Sequence, residues 1–136
     1  MSGKQSKKPR TYRLLMHESF QQAYLALQGE DPQLGKSLIT QIRKSKADPT
    51  NGSPLDDILH PALAGKLRKF HVGGGKGLRY VYLFHAGPSV VLPIYLSTES
   101  KPKFKWEQSL PSIETVAQQI LADFQAGNWS KFQEMN

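Results

Sequence analysis

The sequence predicts an α+β domain with elements in the order β-α-α-β-β-β-α. Two N-terminal helices pack on a small, mostly antiparallel sheet, and a C-terminal helix closes the chain. Three observations predict it. Helical spacing of apolar residues fills 18–42, three strand-like runs follow one another between 65 and 96, and helical spacing returns after 112. The length of 136 residues suits one core, since single domains usually run to about 100–150 residues. Residues 1–10 read as a basic disordered tail and 11–136 as one domain.

The elements follow in order. Tyr12-Arg13-Leu14-Leu15-Met16-His17 reads as a short strand. From Glu18 to Gln28, Phe20, Ala23, Tyr24 and Leu27 share one helical face, and Gly29-Glu30-Asp31-Pro32 ends that helix. Asp31 with Pro32 behind it is the signature of an N-cap and first helical position, opening a second helix through Leu34, Leu38, Ile39 and Ile42. Its basic end, Arg43-Lys44-Ser45-Lys46, suits the negative pole of the helix dipole. Residues 47–54 are a loop by composition, and a short segment containing His60-Pro61 follows.

Gly65 to Val72 alternates apolar and basic residues as a strand does, and glycines link it to Leu78–His85, which is apolar on both faces like a covered central strand. In the next run, Val90 to Leu96, Pro93 calls for an edge or a bulge. After a polar stretch, Ser112 is the expected N-cap of the last helix, with Ile113, Val116, Ala117, Ile120, Leu121 and Phe124 on its apolar face and Gly127 at its end.

Composition narrows the function. The formal net charge is +7 and cysteine is absent, which excludes thiol catalysis, zinc fingers, iron–sulfur clusters and disulfide scaffolds. No run approaches the roughly 18–20 apolar residues that span a bilayer, and the basic N-terminus lacks the apolar stretch of a secretory signal. We therefore expect a cytoplasmic protein with no membrane partner. The charge is unevenly spread: Lys4, Lys7, Lys8, Arg10 and Arg13 precede any acid, and none lies between Asp57 and Glu99. Lys66, Arg68, Lys69, Lys76 and Arg79 fall in that window, and Lys101, Lys103 and Lys105 follow it. An anionic partner, nucleic acid first, fits this pattern.

Residues Leu63-Ala64-Gly65-Lys66-Leu67-Arg68-Lys69-Phe70-His71-Val72, the glycines after them, and Leu78-Arg79-Tyr80-Val81-Tyr82 resemble the core of the RelE/ParE toxin superfamily. That core has a Leu-x-Gly lead-in, a basic strand, a glycine hairpin and then an Arg followed by two apolar residues and Tyr. With the element order, the resemblance covers roughly residues 11–110. Tyr12 to Leu27 and the tail at Trp129 resemble the YhaV-like branch.

The resemblance implies the toxin of a type II toxin–antitoxin pair, with a cognate antitoxin as partner. It implies an endoribonuclease that cuts mRNA at the ribosome without cofactor or metal. A gyrase-inhibiting toxin and a non-catalytic RNA or ribosome binder are the alternatives.

Metal-free RNA cleavage needs a base for the 2′-hydroxyl, cations for the phosphoryl oxygens and an acid for the 5′-oxygen. Lys69 and His71 are two apart, so on a strand they share a face. They match the two basic positions of the family's strand, and Arg79 matches its motif arginine. His71 departs from the Lys or Arg often found there, which makes it the candidate base. Lys66, Arg68, Lys76, Lys101, Lys103 and Lys105 are the candidate RNA contacts. The family's later Tyr or His has no counterpart after Leu96, leaving His85 and Tyr95 as spare proton donors and Phe104 and Trp106 as rings for stacking. Gly73 to Gly77 lacks the spacing of a phosphate loop and reads as a hairpin turn. His17, His60, His71 and His85 show no metal-ligand spacing.

Overall fold

Along residues 78–85 successive side chains enter two different apolar layers, and the rest of the chain supplies those layers. The computed structural model describes residues 11–56, 58–72, 77–99 and 104–135. Their order is β1 (Arg13–His17), α1 (Glu18–Glu30), α2 (Pro32–Ala47), β2 (Ser53–Pro54), β3 (Leu67–Val72), β4 (Leu78–His85), β5 (Val90–Ser97), α3 (Trp106–Gln125) and β6 (Phe132–Met135). The expected tail, residues 1–10, lies outside the described residues. The strands form one sheet in the order β2-β3-β4-β5-β1-β6, antiparallel except where β1 runs parallel to β5.

Leu78, Tyr80 and Tyr82 meet Phe20 and Leu27 of α1 and Leu38 and Ile42 of α2. Val81 and Leu83 meet Ile113, Ala117, Ile120 and Leu121 of α3 on the other face. Burial on both sides is the reason β4 carries no polar alternation. Beneath α2, the Tyr82 hydroxyl donates to the Pro49 carbonyl at 2.6 Å and accepts from the Gly52 amide at 3.0 Å. Those two bonds fix the loop that the composition of 47–54 predicted.

The caps follow the sequence. Asp31 Oδ1 accepts from the Leu34 amide at 3.1 Å with Pro32 leading α2. Gly127, at φ 74°, ends α3 in the left-handed conformation that glycine adopts without strain. Pro93 marks a bulge rather than an edge. Tyr82 faces Pro93 and Val81 faces Tyr95, so Ile94 is the extra residue of a strand flanked on both sides.

Other boundaries differ from expectation. Helix α3 begins at Trp106, not after Ser112, and holds Pro111 inside it. The packing of Trp106 and Leu110 on the α3-side core selects the earlier start, and a proline one and a half turns in removes a single backbone bond. Helix α1 continues through Gly29 to Glu30. Two short strands, β2 and β6, were not legible. β6 pairs with β1, and Arg13 Nη2 meets Glu134 Oε1 at 2.8 Å across the pair.

At the β1–α1 junction His17 Nδ1 accepts from the Ser19 amide at 3.2 Å and so caps α1. Its Nε2 donates to Asp123 Oδ2 at 2.7 Å, tying β1 to the last turn of α3. The bond from His17, then that from Asn128, holds the Asp123 carboxyl below the usual carboxylate range.

Two outcomes follow from these contacts. A Cβ on Gly52 would stand 2.6 Å from the Tyr82 hydroxyl and 3.1 Å from the Lys69 carbonyl. Gly52→Ala therefore lowers stability by about 1–3 kcal/mol, read as an earlier urea midpoint; an unchanged midpoint counts against the pinned loop. The stability that ionised Asp123 supplies is complete above about pH 3.9 and is lost as pH falls through its lower folded value. Asp123→Asn makes the acid-side decline of the urea midpoint shallower in that window, and an identical decline would remove Asp123 from the balance.

Candidate functional site

Strand register brings the predicted cations together. Across β3 and β4, His71 lies opposite Arg79 and Lys69 opposite Val81; across β4 and β5, Arg79 lies opposite Ser97 and Val81 opposite Tyr95. Directly opposed residues share a face, so Lys69, His71, Arg79, Tyr95 and Ser97 all stand on the side that α3 covers. Lys69 and His71 do share a face, as their spacing predicts.

Arg79 is only 5 % exposed. A buried guanidinium needs partners, and among the described residues Nη1 donates to the Glu99 carbonyl at 2.8 Å while its carbon lies 4.0 Å from the centroid of the Phe104 ring. The other side of the fork turns toward His71. Gly77 has φ 55°, and a Cβ there would sit 3.0 Å from His71 Nε2 and 3.4 Å from Arg79 Nη2. The missing side chain is thus the space in which imidazole and guanidinium converge.

A second cation–ring pair stands beside the first. Lys69 Nζ lies 5.4 Å from the centroid of the Trp106 ring and donates to the Pro54 carbonyl at 3.4 Å. Phe104 and Trp106 meet edge to face at 4.8 Å. Lys69 and Trp106 also border a groove of about 250 Å³ with Leu55, Asp56, Glu107 and Leu110.

The remaining candidates are placed as follows. Tyr95, half-buried, stands one row from Arg79. His85 lies six residues further along β4, roughly 20 Å away. Burial and then Lys66 push His85 below the ordinary histidine value, so Lys66 belongs to that far end. Arg68 points to the opposite face, where Nη1 donates to the carbonyls of Gly52 at 2.6 Å and Thr50 at 3.2 Å. Lys105 is exposed at the N-cap of α3. Lys76, Lys101 and Lys103 lie outside the described residues. Phe104 is buried with one ring face taken by Arg79, whereas Trp106 is half-exposed.

Sequence reasoning missed Gly77, Ser97 and the Glu99 carbonyl. Only Gly77 carried a signal, as the last glycine before the strand. Among the described residues no group of three or more His, Asp or Glu is placed to hold a metal ion. Nor is any helix among them long and apolar enough to cross a membrane. The arrangement offers a proton acceptor beside a fixed guanidinium, with an ammonium and an indole next to them, which suits a phosphodiester and its base.

No family model matches the sequence, and no curated protein matches it. Among solved structures, the chain is similar to a double arginine-to-alanine mutant of the E. coli toxin RelE in the free state, at 14% identity and a TM-score of 0.52. The match covers 81% of this chain and 97% of that one. Nothing in it speaks for the YhaV-like branch. At this identity the likeness is one of architecture, and the chain has a RelE-like α+β fold.

Proposed function

We propose that the chain is the toxin of a type II toxin–antitoxin pair, an endoribonuclease that cuts mRNA at the ribosome in the cytoplasm without a metal. The observation that carries this reading is the convergence of His71 Nε2 and Arg79 Nη2 over Gly77, beside Lys69. The RelE-like fold and the toxin it resembles support it.

In this mechanism the ribose 2′-oxygen attacks the adjacent phosphorus and gives its proton to His71. Arg79 and Lys69 neutralise the charge that builds on the non-bridging oxygens. The bond to the 5′-oxygen breaks, leaving a 2′,3′-cyclic phosphate, and the 5′-oxygen departs with a proton. Tyr95, on the same face as Arg79, is the candidate donor; His85 is too distant. Trp106 offers a ring for a base. Lys105, Lys76, Lys101 and Lys103 are the candidate backbone contacts. A cognate antitoxin with an acidic or amphipathic segment is the expected protein partner.

His71→Ala lowers mRNA cleavage by about 10²–10⁴-fold while leaving salt-sensitive RNA binding in place. The parent's rate falls toward acid pH as His71 takes up a proton, and the variant lacks that limb. Cleavage by the variant at the parental rate would sink the proposal.

Arg79→Lys keeps a cation but loses the fork, and cleavage drops by about 10²-fold or more with the fold intact by circular dichroism. Growth arrest with intact mRNA and inhibited supercoiling would instead select the gyrase reading.

A further inference from the structure

A second group of reactive side chains lies at the other end of α3. Trp106, beside Lys69, opens that helix; Asp123, beside His17, sits in its last turn roughly 25 Å away. Here Ser19 Oγ is 2.9 Å from His17 Nδ1, and His17 Nε2 is 2.7 Å from Asp123 Oδ2. The Ser19 amide also donates to Nδ1, which makes Nδ1 the bare nitrogen and leaves the ring hydrogen on Nε2, pointed at the carboxylate. Asp123 is itself held: Asn128 Nδ2 donates to Oδ1 at 3.0 Å, and Lys131 Nζ lies 3.7 Å from Oδ2.

Capping α1 requires Nδ1 alone. The carboxylate behind the ring does more, because it fixes the tautomer and the ring's orientation. His17 and Asp123 are 4 % and 8 % exposed, whereas Ser19 is open to solvent. Ser19 and His17 border a groove of about 310 Å³, with Glu18 and Gln22 from α1 and Val116 and Gln119 from α3. Two glutamines give the groove amide N–H groups, Val116 offers an apolar wall, and Glu18 disfavours an anionic ligand.

We propose that Ser19, His17 and Asp123 form a nucleophile, base and carboxylate relay that accepts an acyl group from a small neutral ester. Ser19 Oγ bonds to the carbonyl carbon as its proton moves to His17 Nδ1, and Asp123 holds the imidazolium through Nε2–H. Collapse of the tetrahedral intermediate breaks the ester C–O bond, and the leaving alcohol takes the proton from Nδ1. Water, deprotonated by His17, then releases the acid and restores Ser19. The relay is independent of the RNA reading.

The test uses the full chain with p-nitrophenyl acetate and, separately, a fluorophosphonate probe mapped by mass spectrometry. Phosphonylation of Ser19 is expected to run at least about tenfold faster than at exposed Ser112 and Ser130. Nitrophenolate release is lost in Ser19→Ala and slowed about tenfold or more in Asp123→Asn. Ser19→Ala changes only an exposed side chain, so its folding is not at stake. Labelling of Ser19 no faster than of Ser112 and Ser130 overturns the proposal, as does nitrophenolate release unchanged in Ser19→Ala.

Discussion

Everything in this domain is arranged around a strand that must hide both of its faces. In β4, Tyr80 and Tyr82 are wholly buried on one side, and Val81 and Leu83 on the other. Burying a large apolar side chain is worth about 1.5–3 kcal/mol, so two full layers are needed before such a strand is stable. The N-terminal helices supply one layer and α3 the other. Arg79 takes its place in the same alternation and has to leave on the α3 face, where the helix has only begun. A guanidinium in that position cannot stay unpartnered, and the Glu99 carbonyl and the Phe104 ring meet the need. The rigid half of the cationic pair is in this sense a product of core packing.

That logic explains which parts of the molecule could be read from the chain. The period of two in 67–72 and the two-sided run in 78–85 identify β3 and β4, because each pattern has one cheap solution. Asp31-Pro32 and Gly127 mark helix ends through local chemistry. The start of α3 was hidden because Ser112 looks like a cap, while the true start depends on Trp106 finding the sheet. Strands β2 and β6 owe their existence to pairing with distant partners.

The shared face of Lys69 and His71 was legible from spacing. The arrival of Arg79 beside His71 needs the hairpin register, which a motif suggests but spacing does not fix. The contact between His17 and Asp123 joins positions 106 residues apart and leaves no local trace.

The acid-free window between Asp57 and Glu99 also changes meaning in three dimensions. A strand sends neighbours to opposite faces, so Arg68 and Lys69 part company at once. Arg68 anchors the loop under α2, and Lys66 lies by His85 at the remote end of the sheet. Clustering along the chain is therefore not clustering in space. What distinguishes Arg79 and Lys69 is that each cation rests on an aromatic ring, and the two rings touch.

The bulge at Ile94 bears on how distant kin should be compared. Before it, Val91 faces the α1–α2 layer; after it, Leu96 does, so odd and even positions exchange roles within one strand. Ser97 stands opposite Arg79 only because of that exchange. A homologue one residue shorter here would run an unbroken ladder and still set its counterpart of Ser97 beside the arginine. Aligned without a gap at 94, it would show a mismatched residue at that place, and a preserved neighbour would pass for a lost one.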